Sequence, residues 1–291
     1  MNWIRVSKTN RCVICQRPDW CTYCPEIGLA LCMRIESPKP STNEMGGWLH
    51  RLDGATTAKL PRHEPATRVT IDACAMMKRW FAQTPRPQYD VLASALGVAA
   101  TALLALKCGW APEHRAWAFP MRNGAGEVVG IRLRAESGRK WSVTGGHEGI
   151  FVPNLPADKT VWLVEGPTDC AALLTLGKFA IGRPSCSGGI AHTSATIARL
   201  RVKRAVIIAD NDDDKTMANG KRWNPGVDGA QRLADEIGVL CCIVVLPTKD
   251  ARSYLQAGGT SELLDSLTHS LVWTQPNKAH FTHATNMTVP I

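Results

Sequence analysis

The run Trp162-Leu163-Val164-Glu165-Gly166-Pro167-Thr168-Asp169 is answered downstream by Ala205-Val206-Ile207-Ile208-Ala209-Asp210-Asn211-Asp212. Each is a short apolar stretch that ends in carboxylates. Strands of this kind bring Glu165, Asp210 and Asp212 over one edge of a sheet, where oxygen ligands and mutual repulsion favour a hard divalent cation. The pattern therefore predicts Mg2+-dependent chemistry on phosphates.

The flanking residues repeat the alternation of strand and helix. Val161–Val164 reads as a strand, Asp169–Leu176 as a helix closed by Gly177, and Phe179–Gly182 as a short strand. His192–Leu200 follows as a helix, Ala205–Ala209 as a strand, Val227–Ile237 as a helix stopped by Gly238, and Leu240–Leu246 as a last strand. Strands separated by helices of this length predict an α/β fold with a compact parallel sheet and helices on both faces. Ligands of such sheets lie beyond the strand C-termini, where both acidic groups fall. The basic run Arg199-Leu200-Arg201-Val202-Lys203-Arg204 precedes a strand and belongs at the opposite end.

Upstream, five of the eleven cysteines crowd into positions 12 to 32: Cys12, Cys15, Cys21, Cys24 and Cys32. Pairs spaced as Cys-x-x-Cys with a returning strand predict an N-terminal zinc ribbon over 1–35. So short a segment has too little core to fold alone, and the metal would supply much of its folding energy. Four thiolates fill a tetrahedral site. The preferred set is Cys12, Cys15, Cys21 and Cys32, with Cys24 a rival to Cys21 and His50 an outside candidate. A site closed by four cysteines is structural rather than catalytic.

Residues 36–68, rich in Pro and Gly, read as a linker. Between 69 and 158 the pattern gives helices over Val69–Ala82 and Tyr89–Leu106, broken at Gly97, and then a small basic β subdomain. Ala116–Arg122 and Gly130–Arg134 read as strands joined by an Asn/Gly turn, and alternation puts Arg132 and Arg134 on one side. Lys140 follows in another short strand. This face is either solvated or set against phosphates, and its nearness to the acidic centre decides which. The sheet domain is expected over 159–268, with a disordered tail over 269–291; His280 and His283 are too isolated for a metal site.

Net charge is +9, from 34 Lys and Arg against 25 Asp and Glu, which suits a polyanionic partner. Hydrophobic content of 45% fits a folded chain. No run reaches the roughly 18 consecutive apolar residues of a membrane span. With no secretory pattern at the start and a thiol cluster suited to a reducing compartment, the expectation is a cytoplasmic protein with no membrane partner.

Val164-Glu165-Gly166-Pro167-Thr168-Asp169 followed by Ile208-Ala209-Asp210-Asn211-Asp212 resembles the Toprim domain of bacterial and phage primases and of type IA and II topoisomerases. The cysteine ribbon and basic intervening region make the primase branch the nearest likeness, in particular the small primase-like proteins of phages, plasmids and other mobile elements. The resemblance covers 12–35, 116–152 and 161–255. It implies Glu165 as metal ligand or general acid/base, Asp210 and Asp212 as ligands of Mg2+ or Mn2+, and Asp169 in support. It further implies Arg132, Arg134 and Lys140 as residues that steer nucleotide and template. Lys249 and Asp250 resemble the turn after the fourth Toprim strand, and Lys249 is carried as a nucleotide or template contact. Asp213 and Asp214 extend the acid run as ligands or solvated charge.

The implied activity is synthesis of short primers on single-stranded DNA from nucleoside triphosphates, with structural Zn2+ and catalytic Mg2+ or Mn2+. The ribbon would hold template. Little chain follows the Toprim segment, so a replicative helicase or polymerase is expected as a separate partner. Rival readings are a Toprim nuclease with the same carboxylates, a non-catalytic single-stranded-DNA accessory protein and, ranked lower, a topoisomerase using Tyr23, Tyr89 or Tyr254 as nucleophile.

Overall fold

Val161, Leu163, Ala205, Val206, Ile207 and Ile243 are wholly buried, as strands covered on both faces require. In the computed structural model these runs lie side by side. It describes residues 3–42, 46–60, 69–216, 222–270, 273–274 and 281–283. Two units divide the chain, residues 1–68 with 214–224, and residues 69–213 with 225–291.

The first unit carries β1 (Ile4–Arg5), β2 (Thr22–Cys24), β3 (Leu29–Cys32) and β4 (Trp48–Arg51) in one antiparallel sheet of that order, followed by α1 (Gly54–Lys59). The stretch expected as linker thus adds a strand, β4, to the ribbon; Pro61 and Pro65 lie outside the described residues.

The second unit begins with α2 (Ala73–Gln83), α3 (Arg86–Leu96), α4 (Ala100–Ala105), β5 (Gly109–Ala111), β6 (Ala116–Arg122), β7 (Val128–Arg134) and β8 (Lys140–Ser142). Asp72 caps α2 by accepting the Ala75 N–H at 2.9 Å, and α3 stops at Gly97 with φ +68°. Strands β5 to β8 form an antiparallel meander. Met77 and Trp80 of α2 pack on Ala116, Ala118, Ile131 and Leu133. Since Ile131 and Leu133 are buried against α2, Arg132 and Arg134 stand on the other face of β7.

The sheet follows: β9 (Thr160–Glu165), α5 (Gly166–Thr175), β10 (Ala180–Arg183), α6 (Ile190–Leu200) and β11 (Arg204–Ala209). Two short strands, β12 (Lys215–Thr216) and β13 (Arg222–Trp223), make a hairpin counted with the first unit. Then come α7 (Pro225–Glu236), β14 (Leu240–Val245), α8 (Ala251–Gln256), α9 (Ser261–Ser270) and β15 (Phe281–His283). Strand order is β10-β9-β11-β14-β15 with every neighbour parallel.

Residues of α5, α8 and α9 share one face with Trp162, Val164, Val206, Ile208 and Val244, and residues of α6 and α7 cover Leu163, Ile181, Ile207 and Ile243 on the other. Trp117, Phe119 and Met121 of β6 belong to the first of these clusters, so the basic meander and the sheet share a core. Strand β15 and the Thr274–Cys241 bridge fall within the expected disordered tail. They satisfy the edge of β14, whose unpaired backbone groups would otherwise face solvent. A three-residue strand is too short to leave a periodic signal. His280 lies outside the described residues.

Candidate active site

Glu165 and Arg183 end adjacent parallel strands and are register partners. Alternation from Leu163 and Ile181, both on the α6/α7 side, puts their side chains on that same side. The chain then turns sharply into α5 at Gly166, φ +75°, a backbone conformation that L side chains rarely adopt. A Cβ on Gly182 would lie 2.4 Å from the Gly166 carbonyl oxygen, so glycine there lets β10 approach the turn that carries Glu165.

Asp210 follows β11 directly. A Cβ on Gly226 would meet its carbonyl oxygen at 2.1 Å, which shows how tightly the start of α7 sits on this turn. Asn211 donates its N–H to the Lys249 carbonyl at 2.8 Å and its side-chain amide to the Leu246 carbonyl at 3.4 Å, pinning the acidic turn to the end of β14. Lys249 thus meets the site through its backbone. Asp250 caps α8 by accepting the Ser253 N–H at 2.7 Å, and Asp169 accepts the Arg252 N–H at 3.0 Å.

The carboxylates feel one another. Burial, then Glu165, Asp169, Asp250 and Asp212, push Asp210 up to about 8. Burial and then Asp250 raise Asp169 to about 6, although the Arg252 N–H and the charges of Arg252 and Lys140 oppose the rise. Burial also raises Glu165; Arg183 and Lys140 pull against it, and Asp212 and Asp169 add to it. Such a cluster is short of positive charge and fits a divalent cation. Among the described residues no three carboxylates bring oxygens within 4.8 Å of one another.

The basic meander lies beside this centre. Lys140 acts on both Glu165 and Asp169, and Arg134 feels Asp169 and Arg252. Arg134 and Lys140 are register partners, and Arg132 donates to the Pro184 carbonyl at 3.3 Å. Burial lowers both arginines from their ordinary values. Of the other acids, Asp214 is held by Arg222 at 2.8 Å and Asn224 at 3.1 Å in the β12–β13 hairpin. Of the members of the centre, Arg183 was absent from the expected site, and Asp250 was expected at this turn without an assigned role. The helix-capping position of Asp250 after a strand is a readable signal, whereas Arg183 before Pro184 leaves none.

In the ribbon unit the Sγ atoms of Cys12, Cys15, Cys21 and Cys32 all lie within 4.8 Å of one another. Cys15 and Cys21 are 3.7 Å apart, close to the ~3.8 Å edge of a tetrahedron with Zn–S near 2.3 Å. Backbone N–H groups of Met33 and Ile35 donate to Cys21 and Cys32, each at 3.4 Å, as thiolates would use them. Burial drives Cys21 up, while at Cys15 the burial penalty is outweighed by the Arg17 N–H and neighbouring thiols, which bring it to about 7. Four thiols this close cannot all ionise without a cation. Cys24 is buried but stands outside the group, and His50 faces the Ile35 carbonyl at 3.0 Å. No helix among the described residues is long and apolar enough to cross a membrane.

Solved structures align over 69% of this chain. The Escherichia coli primase catalytic core aligns with TM-score 0.51 at 14% identity, over 69% of this chain and 79% of that one. The fold is that of the DnaG primase catalytic core. A DnaG catalytic domain bound to single-stranded DNA aligns with TM-score 0.52 at 13% identity, over 69% and 78%. The Aquifex aeolicus primase, with zinc-binding and RNA polymerase domains, aligns with TM-score 0.53 at 15% identity, over 69% of this chain and 61% of that one. No protein-family model matches the chain, and no curated protein matches it.

Proposed function

We infer that this chain is a primase-like nucleotidyltransferase that makes short primers on single-stranded DNA from nucleoside triphosphates. The observation that carries the reading is the joining of a carboxylate centre, Glu165, Asp169, Asp210 and Asp250, to the basic face of Arg134 and Lys140 within one core. An acidic centre alone would repel a polyphosphate, and the adjoining cations supply the attraction that brings it in.

Glu165, Asp210 and Asp212 would hold Mg2+ or Mn2+, which when bound offsets charge on the phosphate and eases ionisation of the attacking hydroxyl. Arg132, Arg134 and Lys140 orient triphosphate and template phosphates across the β7–β8 face. Lys249 is retained as a more distant template contact. The 3'-oxygen of one nucleotide bonds to the α-phosphorus of the next as pyrophosphate departs. Glu165, as metal ligand or general base, would receive the hydroxyl proton, and Asp169 keeps the α5 turn in register through Arg252.

The thiol set Cys12, Cys15, Cys21 and Cys32 would hold Zn2+ as a structural ion, with the ribbon engaging template. Trp20 on its surface is 52% exposed and lies against Arg5, a pairing that single strands use for base stacking. All three tyrosines are buried, and Tyr89 and Tyr254 donate to the carbonyls of Cys108 and Thr260, which weighs against a tyrosine nucleophile. Elongation by a separate polymerase and unwinding by a separate helicase complete the reading.

The test is incorporation of labelled nucleoside triphosphates on mixed single-stranded templates with Mg2+ or Mn2+, with template cleavage scored in the same tube. Short products lost in Glu165→Gln support the primase reading. Metal-dependent cleavage without synthesis replaces it with a nuclease, and neither activity with DNA binding intact replaces it with an accessory role.

A further inference from the structure

Arg183 is 1% exposed, at the very end of a strand, in a place where burial of a charge is costly. Its Nη1 donates to the Cys186 carbonyl at 3.0 Å, and its buried Nε has no hydrogen-bond partner. The charges that reach it are Glu165, Cys186 and Asp210, with Arg232 of α7 as the opposing cation. Yet no Arg183–carboxylate ion pair forms within 4.0 Å among the described residues. A guanidinium desolvated to this degree, with a donor to spare and register-paired to Glu165, has no role in packing that an apolar side chain would not fill better.

We propose that Arg183 is a positioning residue, a built-in cation that holds the Glu165 and Asp210 carboxylates together in the free protein and keeps their affinity for a divalent ion low. The proposal rests on the metal-site reading above. Its consequence is that the ion is held weakly until a triphosphate brings further oxygen ligands. Without Arg183 the carboxylates would repel one another when the ion is absent and would bind it more tightly when it is present. A purely structural arginine predicts the contrary, since loosening the strand ends would weaken ion binding.

The experiment is a Mn2+ titration of the full chain followed by electron paramagnetic resonance of the free ion, together with melting in EDTA. Arg183→Met should bind Mn2+ roughly tenfold tighter than wild type, the order expected from removing one buried charge near the ion, and should melt lower in EDTA. Arg183→Lys should stay near wild type in affinity. Unchanged or weaker binding by Arg183→Met overturns the proposal while leaving the metal site standing. If wild type takes up no Mn2+, with or without a nucleoside triphosphate, the metal reading falls and the proposal with it. Should Arg183→Met fail to fold, the double variant Glu165→Gln/Arg183→Met, which removes both charges, should recover folding; no recovery would also overturn the proposal.

Discussion

Asp169 Oδ1 accepts the backbone N–H of Arg252 at 3.0 Å, joining the first turn of α5 to the first turn of α8 across 83 residues of chain. The bond is made by a carboxyl that is 7% exposed, so its loss is not repaired by water. Asp169→Ala should therefore lower stability by roughly 1–3 kcal/mol. Asp169→Asn keeps an acceptor in place and sheds the buried charge. Above pH 6 without divalent ions it should melt higher than wild type, and a lower melting temperature would show that the carboxylate itself is needed.

The raised carboxyls set the sign of the pH dependence. An acid with a folded value above its unfolded one makes the folded state bind the extra proton, so stability falls as pH rises between the two values. For Asp169 that window runs from about 4 to about 6, and for Asp210 from about 4 to about 8. Melting in EDTA should fall steadily from pH 5 to pH 8, and Asp210→Asn should flatten the upper part. Added Mg2+ should raise the melting temperature more at pH 8 than at pH 6. A Mg2+ effect independent of pH would mean that these carboxylates do not hold the ion.

Zinc content separates the five ribbon cysteines. Serine at Cys12, Cys15, Cys21 or Cys32 should remove one equivalent of zinc by native mass spectrometry, whereas Cys24→Ser should keep it. Chelation should expose strands β1 to β4 to protease while the five-stranded parallel sheet stays resistant. Zinc loss in Cys24→Ser alone would transfer the ligand role from Cys21.

Arg134→Ala and Lys140→Ala should weaken single-stranded DNA or nucleotide binding and lower the slope of log affinity against log salt by roughly 0.7 per lost phosphate contact. Circular dichroism should be unchanged. An unaltered slope would mark the β7–β8 face as merely solvated.

Gly182→Ala tests the close approach of β10 to the α5 turn. A methyl group 2.4 Å from the Gly166 oxygen forces the strands apart. The expected loss is about 1–3 kcal/mol, with Mg2+-induced stabilisation falling in step. Normal stability would mean that the turn carrying Glu165 yields freely.

The parallel sheet was legible because Val161–Val164, Ala205–Ala209 and Leu240–Leu246 are apolar on both faces and are bounded by helices of matching length, a pattern that local chemistry enforces. The acidic motifs were legible for the same reason, since each directly ends such a strand. Four thiols spaced for a tetrahedral ion were readable from chain order, although choosing between Cys21 and Cys24 required the turn geometry that places Cys15 and Cys21 Sγ atoms 3.7 Å apart. Strands β4 and β15 were hidden because their stability comes from pairing with a partner already in place, at Leu29–Cys32 and Ile243–Val245.

Residue type and strand periodicity were enough to put Glu165, Asp210 and Asp212 at one end of an α/β sheet, because alternation and strand direction are local properties of the chain. Folding alone brought Arg183 to that end and set Arg134 and Lys140 against its carboxylates. Their effect on the carboxylates depends on distance and burial through space, and a lone arginine at a strand terminus carries no mark of the charge it will face.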